Sequence, residues 1–195
     1  MKRVFDIISS AIGLIITAPL WPIIALAIKL DSYGPVLVRL ARVSQGKIIY
    51  VYKFRSMIDG AHHIKPALAS MNQRRGGPFF KIKHDPRLTR VGKFIRKFRL
   101  DELPQLLNVL KGELSLVGPR PHEPEEVIFY PDDYKYLMLA KAGVTGLSQV
   151  NGASSLPFLD ELYIDHYYVK YCNFWTDIKV IGKTVAILFS DPTAV

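Results

Sequence analysis

The chain has 195 residues, 49% of them hydrophobic, and its 26 Lys and Arg against 17 Asp and Glu give a formal charge of +9. One cysteine, Cys172, excludes an internal disulfide and supplies no metal-site spacing. The length fits one domain, or a small domain plus an anchor. A chain this greasy and this basic suits an anionic membrane surface or a phosphorylated substrate better than nucleic acid.

Residues 4–28 are almost wholly apolar, with Asp6 the one charge. That is roughly the length needed to span a bilayer. Pro19 and Pro22 fall in its interior, where each removes a backbone donor and bends or breaks a helix. Lys2 and Arg3 precede the segment, and Lys29, Arg39 and Arg42 follow it. Basic residues on both flanks disfavour a crossing, because such flanks prefer the cytoplasmic side. A helix that enters, breaks near Thr17-Ala18-Pro19 and returns to the same face is therefore preferred to a spanning helix, with a buried core helix third. Hydroxyls of Ser9, Ser10 or Thr17 are available for carbonyls freed at the break. The division expected is a re-entrant membrane helix over residues 1–30 and a separate folded domain over residues 31–195.

After the Gly34-Pro35 turn, residues 36–43 and 48–54 are rich in β-branched and aromatic side chains, with Ser44-Gln45-Gly46-Lys47 between them. This predicts a β-hairpin. It ends in Lys53-Phe54-Arg55-Ser56-Met57, which puts Lys53 and Arg55 on one strand face, for phosphate or simply for solvent. Residues 58–78 read as a helix plus a loop. The adjacent His62 and His63 lack metal-site spacing and read as solvated.

The most basic run follows: Arg74, Arg75, Lys81, Lys83, Arg87, Arg90, Lys93, Arg96, Lys97 and Arg99, with Asp85 the only acid among them. Within it, residues 91–98 predict an amphipathic helix. Phe94, Ile95 and Phe98 are expected on one side and Lys93, Arg96 and Lys97 on the other, a pattern at home in a membrane interface or against a core. The run ends in Leu100-Asp101-Glu102-Leu103-Pro104-Gln105. Leu103, Leu106, Leu107 and Leu110 then recur at helical spacing. Asp101 is the expected N-cap and Pro104 a first-turn residue, so both carboxylates are expected at a helix N-terminus, where the dipole and the cations keep Asp101 ionised. An ionised carboxylate in a cationic pocket can attack phosphorus or hold Mg²⁺. The plain alternative is a cap and a first-turn acid.

Gly112 is the expected C-cap, residues 114–117 an apolar strand, and Arg120 is mounted between Pro119 and Pro121. A guanidinium held so suits bidentate phosphate recognition, or a structural carboxylate. Residues 131–138 predict a short helix, and residues 141–152 a glycine-punctuated loop. Phe158–Tyr171 reads as a helix carrying Glu161, Asp165, Tyr167 and Tyr168. Residues 174–189 read as another, with Ile178, Ile181, Val185 and Leu188 as its core face beside Trp175, itself suited to an interface. The fold class expected is α+β, mainly helical with a small β-hairpin.

Together these stretches resemble the monotopic phosphoglycosyl transferases, the bacterial sugar transferase family that charges polyprenol phosphate. The resemblance covers essentially the whole chain. It rests on the proline-broken apolar segment, the Gly34-Pro35 turn, Lys53-Phe54-Arg55-Ser56-Met57, Asp85-Pro86-Arg87-Leu88-Thr89-Arg90, Leu100-Asp101-Glu102-Leu103-Pro104-Gln105 and Val117-Gly118-Pro119-Arg120-Pro121. Thr145-Gly146-Leu147-Ser148-Gln149-Val150-Asn151-Gly152 and Asp165-His166-Tyr167-Tyr168 complete it. Ser56 stands where the family usually has Thr, and Ala142 where it usually has Pro. The chain resembles the catalytic unit alone, without the extra helices and accessory domain of longer members.

The resemblance implies a mechanism. Asp101 would attack the β-phosphate of a UDP-sugar, releasing UMP and holding a phospho-sugar for transfer to undecaprenyl phosphate. Glu102 would hold Mg²⁺. Lys53, Arg96, Arg120 and Asp165 would line the site, the cations on phosphates or carboxylates and Asp165 orienting a cation or the metal. Arg55 and Arg87 join them as substrate-binding candidates. The implied location is the cytoplasmic face of a bacterial inner membrane, with membrane lipid as a partner, no nucleic acid, and a homodimer as one open arrangement. The sugar and the pathway (capsule, exopolysaccharide, O-antigen or glycoprotein glycan) stay open. Two rivals remain: a non-catalytic anion-binding module, and a protein that uses its apolar helices for assembly.

Overall fold

The computed structural model describes residues 1–73, 77–152, 155–171 and 173–190. Arg74 and Arg75 of the basic run, Cys172 and the side chain of Leu188 lie outside the described residues. Among the described residues the architecture is α+β and mainly helical, with two small two-stranded sheets.

The apolar N-terminus forms α1 (Lys2–Thr17) and α2 (Leu20–Asp31), bent by 62° at the break. Pro22 denies Ala18 O its helical donor, and the Trp21 N–H, one residue earlier, donates to it instead at 3.2 Å. The Thr17 hydroxyl donates to Gly13 O at 2.7 Å, further back than the expected break carbonyls. Among the described residues no single helix is long and apolar enough to cross a membrane; the bent pair together is, by length and composition.

The pair docks through its few polar groups. Asp6, Ser10 and Gly13 follow one line along α1 at helical spacing. Asp6 is buried and accepts from Ser115 Oγ at 2.7 Å and Leu116 N at 3.1 Å. Arg3 donates to Val109 O and Leu110 O near the C-terminal end of α4 (Gln105–Lys111), carbonyls short of intrahelical partners. On α2, Ile24 and Ile28 are buried with Phe54 and Ile95, and Asp31 Oδ2 accepts from Val91 N at 2.8 Å. The outward side is apolar: Ile8, Ile12, Ile15, Ile16, Ile23, Leu26 and Leu30 are all exposed.

The hairpin is β1 (Leu37–Ser44) against β2 (Lys47–Phe54), in register from Leu37↔Phe54 to Ser44↔Lys47. Gln45 and Gly46 take φ of 53° and 69°, the two positive values that a two-residue type I′ turn needs. The outer edge of β2 is covered by one side chain. Asn108 Oδ1 accepts from Tyr52 N at 3.0 Å, and its Nδ2 donates to Tyr50 O at 2.8 Å, so α4 completes the strand's ladder.

Helix α3 (Arg90–Lys97) is capped by Thr89, which accepts from Gly92 N. Its faces differ from the expected pair. Gly92 and Ile95, three apart, face inward; a Cβ on Gly92 would lie 1.8 Å from Ser56 O. Phe94 is exposed and packs on Phe98, while Arg96 turns inward to Ser56.

Residues 141–152 are more ordered than a loop. They hold β4 (Gly143–Thr145), parallel to β3 (Ser115–Val117), and a short helix, α6 (Leu147–Val150), while α5 (Pro124–Val127) precedes them. Gly118 and Gly143 abut, a Cβ on Gly143 falling 2.1 Å from Gly118 N. Residues 58–78 contribute a 3-10 stretch, Pro66–Met71, and the helix expected near 131–138 is 3-10, Asp132–Leu139.

The C-terminal helices are α7 (Phe158–Tyr171) and α8 (Phe174–Ser190). α8 presents a different face from the one expected. Asp177 and Val180 are buried, and Thr184 bonds Thr145, whereas Trp175, Ile178 and Val185 are exposed.

Candidate active site

Asp101 lies in a 3-10 turn, Leu100–Glu102, between α3 and α4. The turn follows Arg99, a non-glycine residue at φ 52°, which reverses the chain after α3. The expectation of an N-cap is corrected: the cap position of α4 is Pro104, and Asp101 stands three residues before it. The apolar spacing of Leu103 to Leu110 marked the helix but not the 3-10 turn, whose short span carries no periodic signal.

Asp101 is 5% exposed. Burial pushes its carboxyl up, from 3.8 to about 6, against the pull of Lys53, with Glu102 adding to the rise. The sequence argument had the dipole and the cations dominant; desolvation is larger. Glu102 moves the other way. Burial would raise it, but the Lys53 charge and hydrogen bond, with Arg99 and Arg120, hold it down at about 2. Lys53 Nζ donates to Glu102 Oε1 at 2.5 Å. Thus one acid of the pair is firmly ionised and the other titrates near neutrality.

The pair borders a cleft of about 540 Å³ whose wall includes Lys53, Arg55, Ser56, Arg87, Arg96, Arg99 and Arg120. Arg96 Nε donates to Ser56 Oγ at 2.9 Å, and its charge acts on Asp101. Arg120 is about a third exposed, with Nε 3.7 Å from Glu161 Oε1. Its backbone N donates to Asp165 Oδ2 at 3.1 Å. Burial alone would lower the Arg120 guanidinium; Glu161 and then Glu102 raise it.

Behind Arg120 runs a network absent from the sequence reading. His122 Nε2 is 2.9 Å from Glu161 Oε1, and its Nδ1 meets the Tyr130 hydroxyl. Glu161 can only accept when ionised, so Nε2 carries a hydrogen; Tyr130, whose phenol burial pushes up and keeps protonated, then donates to Nδ1. Asp165, one turn beyond Glu161 on α7, is raised by burial to about 6. The only sequence clue was Glu161 and Asp165 at i, i+4 on an otherwise apolar helix face.

Of the residues singled out from sequence, Lys53, Arg96, Asp101, Glu102 and Arg120 meet around one space. Asp165 supports the Arg120 backbone. Arg87 lines the cleft wall, but Asp85 takes it in a fork, with Nε–Oδ1 at 2.9 Å and Nη2–Oδ2 at 2.6 Å. Arg55 reaches back to Ser32. Across the cleft, Glu123 receives Arg42 and Lys65, neither foreseen with it. His62 and His63 are exposed, as read from sequence.

Among the described residues no three His, Cys, Asp or Glu side chains are grouped as a metal cage. Mg²⁺ does not need one: it is usually held by one or two carboxylates plus substrate phosphates. Lys53 occupies only Oε1 of Glu102, and the Glu102 side chain is 26% exposed, so the second oxygen fits that mode.

The fold and cleft define a protein with a buried carboxylate in a cation-walled cleft beside an apolar surface. The bacterial sugar transferase family matches residues 1–191, and the chain belongs to it. It is 42% identical to an undecaprenyl-phosphate galactose phosphotransferase of Salmonella typhimurium, over 96% of this chain and 40% of the relative. It is 41% identical to the galactosyl transferase CpsE of Streptococcus agalactiae, over 96% of this chain and 42% of the relative. With the exopolysaccharide production protein ExoY of Rhizobium meliloti the identity is 31%, over 94% of this chain and 83% of the relative. The chain thus spans about two fifths of the length of the first two.

Proposed function

We propose that this chain is a membrane-bound phosphoglycosyl transferase that moves a sugar-1-phosphate from a UDP-sugar to undecaprenyl phosphate. One observation carries the reading: Asp101 is a buried carboxylate in the cation-rich wall of a cleft, next to an apolar helix pair. A module that merely bound anions would gain nothing from acids in that wall. The names of the relatives, which include galactose and glucose phosphotransferases acting on undecaprenyl phosphate, agree with it.

In the first step an Asp101 carboxylate oxygen attacks the β-phosphorus of the donor. The bond from that phosphorus to the bridging oxygen breaks, and UMP leaves with the electron pair. The phospho-sugar stays on Asp101 as an acyl phosphate. In the second step a phosphate oxygen of the lipid attacks the same phosphorus, and the Asp101 carboxylate is the leaving group. Lys53, Arg96 and Arg120 offset charge on the phosphoryl oxygens. Mg²⁺, held by Glu102 with the donor phosphates, would add Lewis-acid polarisation of the phosphoryl oxygen.

The bent helix pair is the re-entrant anchor of this reading. Its outward residues enter lipid and its polar line grips the domain, which sets the cleft at headgroup depth on the cytoplasmic face. The test is UMP release from a panel of UDP-sugars with Mg²⁺ and undecaprenyl phosphate. Release by the natural chain, and about a thousandfold less or none by Asp101→Asn, is the expected result. No release from any donor by folded, lipid-bound protein would favour the anion-binding module.

A further inference from the structure

The cleft holds a second set of charged side chains that the two-step chemistry above leaves unused. Glu123 is the N-cap of α5 and Glu126 lies in its first turn; Arg42 of β1 and Lys65 converge on them. Arg42 Nη2 is 3.3 Å from Glu123 Oε1, and Lys65 Nζ donates to Glu123 Oε2 at 2.7 Å. Glu126 Oε2 accepts from Glu123 N at 2.9 Å, and its other oxygen has no hydrogen bond among the described residues. All four side chains line the cleft. Those of Arg42, Glu123 and Lys65 are 16%, 22% and 27% exposed, so a ligand can reach them.

Charge and hydrogen-bonding capacity say what kind of ligand. Two cations against two acids leave this part of the cleft formally neutral. Around the reacting acid, by contrast, Lys53, Arg96, Arg99 and Arg120 outnumber Asp101 and Glu102. A phosphate offers only acceptors, and Glu123 and Glu126 would repel it. A hydroxyl both donates and accepts. Carboxylates and cations set side by side present acceptors next to donors, which matches a ring of hydroxyls.

Position narrows the choice. Arg42 and Arg120 both lie in the field of Glu126, and both lie in the field of Glu102. The neutral part of the cleft therefore abuts Arg120, a cation assigned above to the phosphoryl group under attack. In a UDP-sugar, two groups are joined to that phosphoryl group through an oxygen. One is the α-phosphate, an anion; the other is the sugar, uncharged and rich in hydroxyls. Only the second suits a neutral patch of alternating donors and acceptors.

We propose that Arg42, Lys65, Glu123 and Glu126 seat the hydroxyls of the sugar that the donor carries, with the spare Glu126 oxygen accepting from one of them. The seat deepens the transferase reading and rests on it. Lys53, Arg96 and Arg120 keep the phosphates, and the α5 acids read the group that is transferred.

Equilibrium binding of UDP-galactose, UDP-glucose, their N-acetylhexosamine counterparts and UDP tests this. The full chain is used in detergent micelles, carrying Asp101→Asn so that no donor turns over. The sugar nucleotide that binds most tightly is the probe. Glu126→Gln keeps a side chain that can serve the α5 cap. It is expected to weaken the probe by about tenfold, the worth of one charged hydrogen bond. UDP should hold its affinity or bind more tightly, because an acid near its phosphates has lost its charge. An unchanged probe, or a probe that tightens together with UDP, overturns the proposal. Should Glu126→Gln fail to fold by circular dichroism, Lys65→Gln carries the test. The probe should then weaken by about fivefold and UDP by less than about twofold; equal losses would make Lys65 a phosphate contact and are contrary. Failure of the transferase reading is separable. If neither UDP nor any sugar nucleotide binds, that reading and the seat fall together; if all bind but the variants treat probe and UDP alike, the seat alone falls.

Discussion

Asp101 and Glu102 occupy a short turn at the edge of the cleft, whereas Glu161 and Asp165 lie four residues apart on α7, behind Arg120. Both pairs are carboxylates taken largely out of water, yet they are partnered differently. Glu161 has His122 and Arg120, and Asp165 holds the Arg120 backbone. Glu102 has Lys53, but Asp101 has no side-chain hydrogen bond among the described residues, and desolvation pushes it up to about 6. Satisfaction of the oxygens does not separate the pairs, since Asp165 Oδ1 is itself buried without a hydrogen-bond partner; placement does, because Asp101 and Glu102 line the cleft and Glu161 and Asp165 lie behind it. On this contrast the α7 pair is support and the turn pair is machinery.

The sharpest way to break the contrast is to neutralise one member of each pair. Asp101→Asn should lose about a thousandfold or more in UMP release. It should also raise stability near pH 7 by about 1–3 kcal/mol, because an Asp whose folded carboxyl lies well above its unfolded one is penalised when ionised. Thermal unfolding and UMP release on the same sample check both. Asp165→Ala relieves a similar charge penalty, its carboxyl being raised to about 6 as well, but leaves the Arg120 N–H without its acceptor at a cost of about 1–3 kcal/mol, so its net gain should be clearly smaller, with activity falling as Arg120 shifts. If both variants gain stability alike, the two pairs are not different in kind.

Smaller but more specific is Glu161→Gln. It keeps the shape and an acceptor for His122 but removes the charge that Arg120 faces. Arg120 then turns toward Glu102, the next acid acting on it. Donor turnover should fall about tenfold, the order of one lost charged contact, with the melting temperature little changed. A large drop in melting temperature with normal turnover by the folded fraction would make Glu161 structural only.

The pH dependence is the finest discriminator. Asp101 must be ionised to attack, so UMP release should fall as pH drops through about 6. Asp165 sits at a similar value, but the limb should persist in Asp165→Asn if Asp101 sets it. Stability carries the opposite sign: the protonated Asp101 is favoured in the fold. Its contribution is full below the unfolded value of 3.8 and lost as pH rises through about 6. Asp101→Asn should flatten that fall in a pH series of unfolding curves.

The sequence made the turn pair visible and the support pair nearly invisible, for a physical reason. Asp101-Glu102 stands at the end of a charge run and before a leucine periodicity, both local signals. The hairpin, α7 and the Gly112 cap were equally local and equally legible. His122 and Glu161 are 39 residues apart. Nothing near either one reports the other. The same holds for β3 and β4, three residues each and paired across the chain, and for Asn108, whose amide completes an edge strand more than 50 residues away. Faces of α3 and α8 were misjudged because periodicity shows that an apolar line exists, not which neighbour it meets. Phe94, Ile178 and Val185 are exposed, while Asp177 is buried beside Lys2.

The most direct test of the central claim is the intact mass of the full chain after incubation with a productive UDP-sugar and Mg²⁺, with no lipid acceptor present. The account predicts a single phospho-sugar adduct, mapped to Asp101, absent from Asp101→Asn and discharged when undecaprenyl phosphate is added. UMP release and lipid product without any adduct, or an adduct that survives in Asp101→Asn, would contradict it.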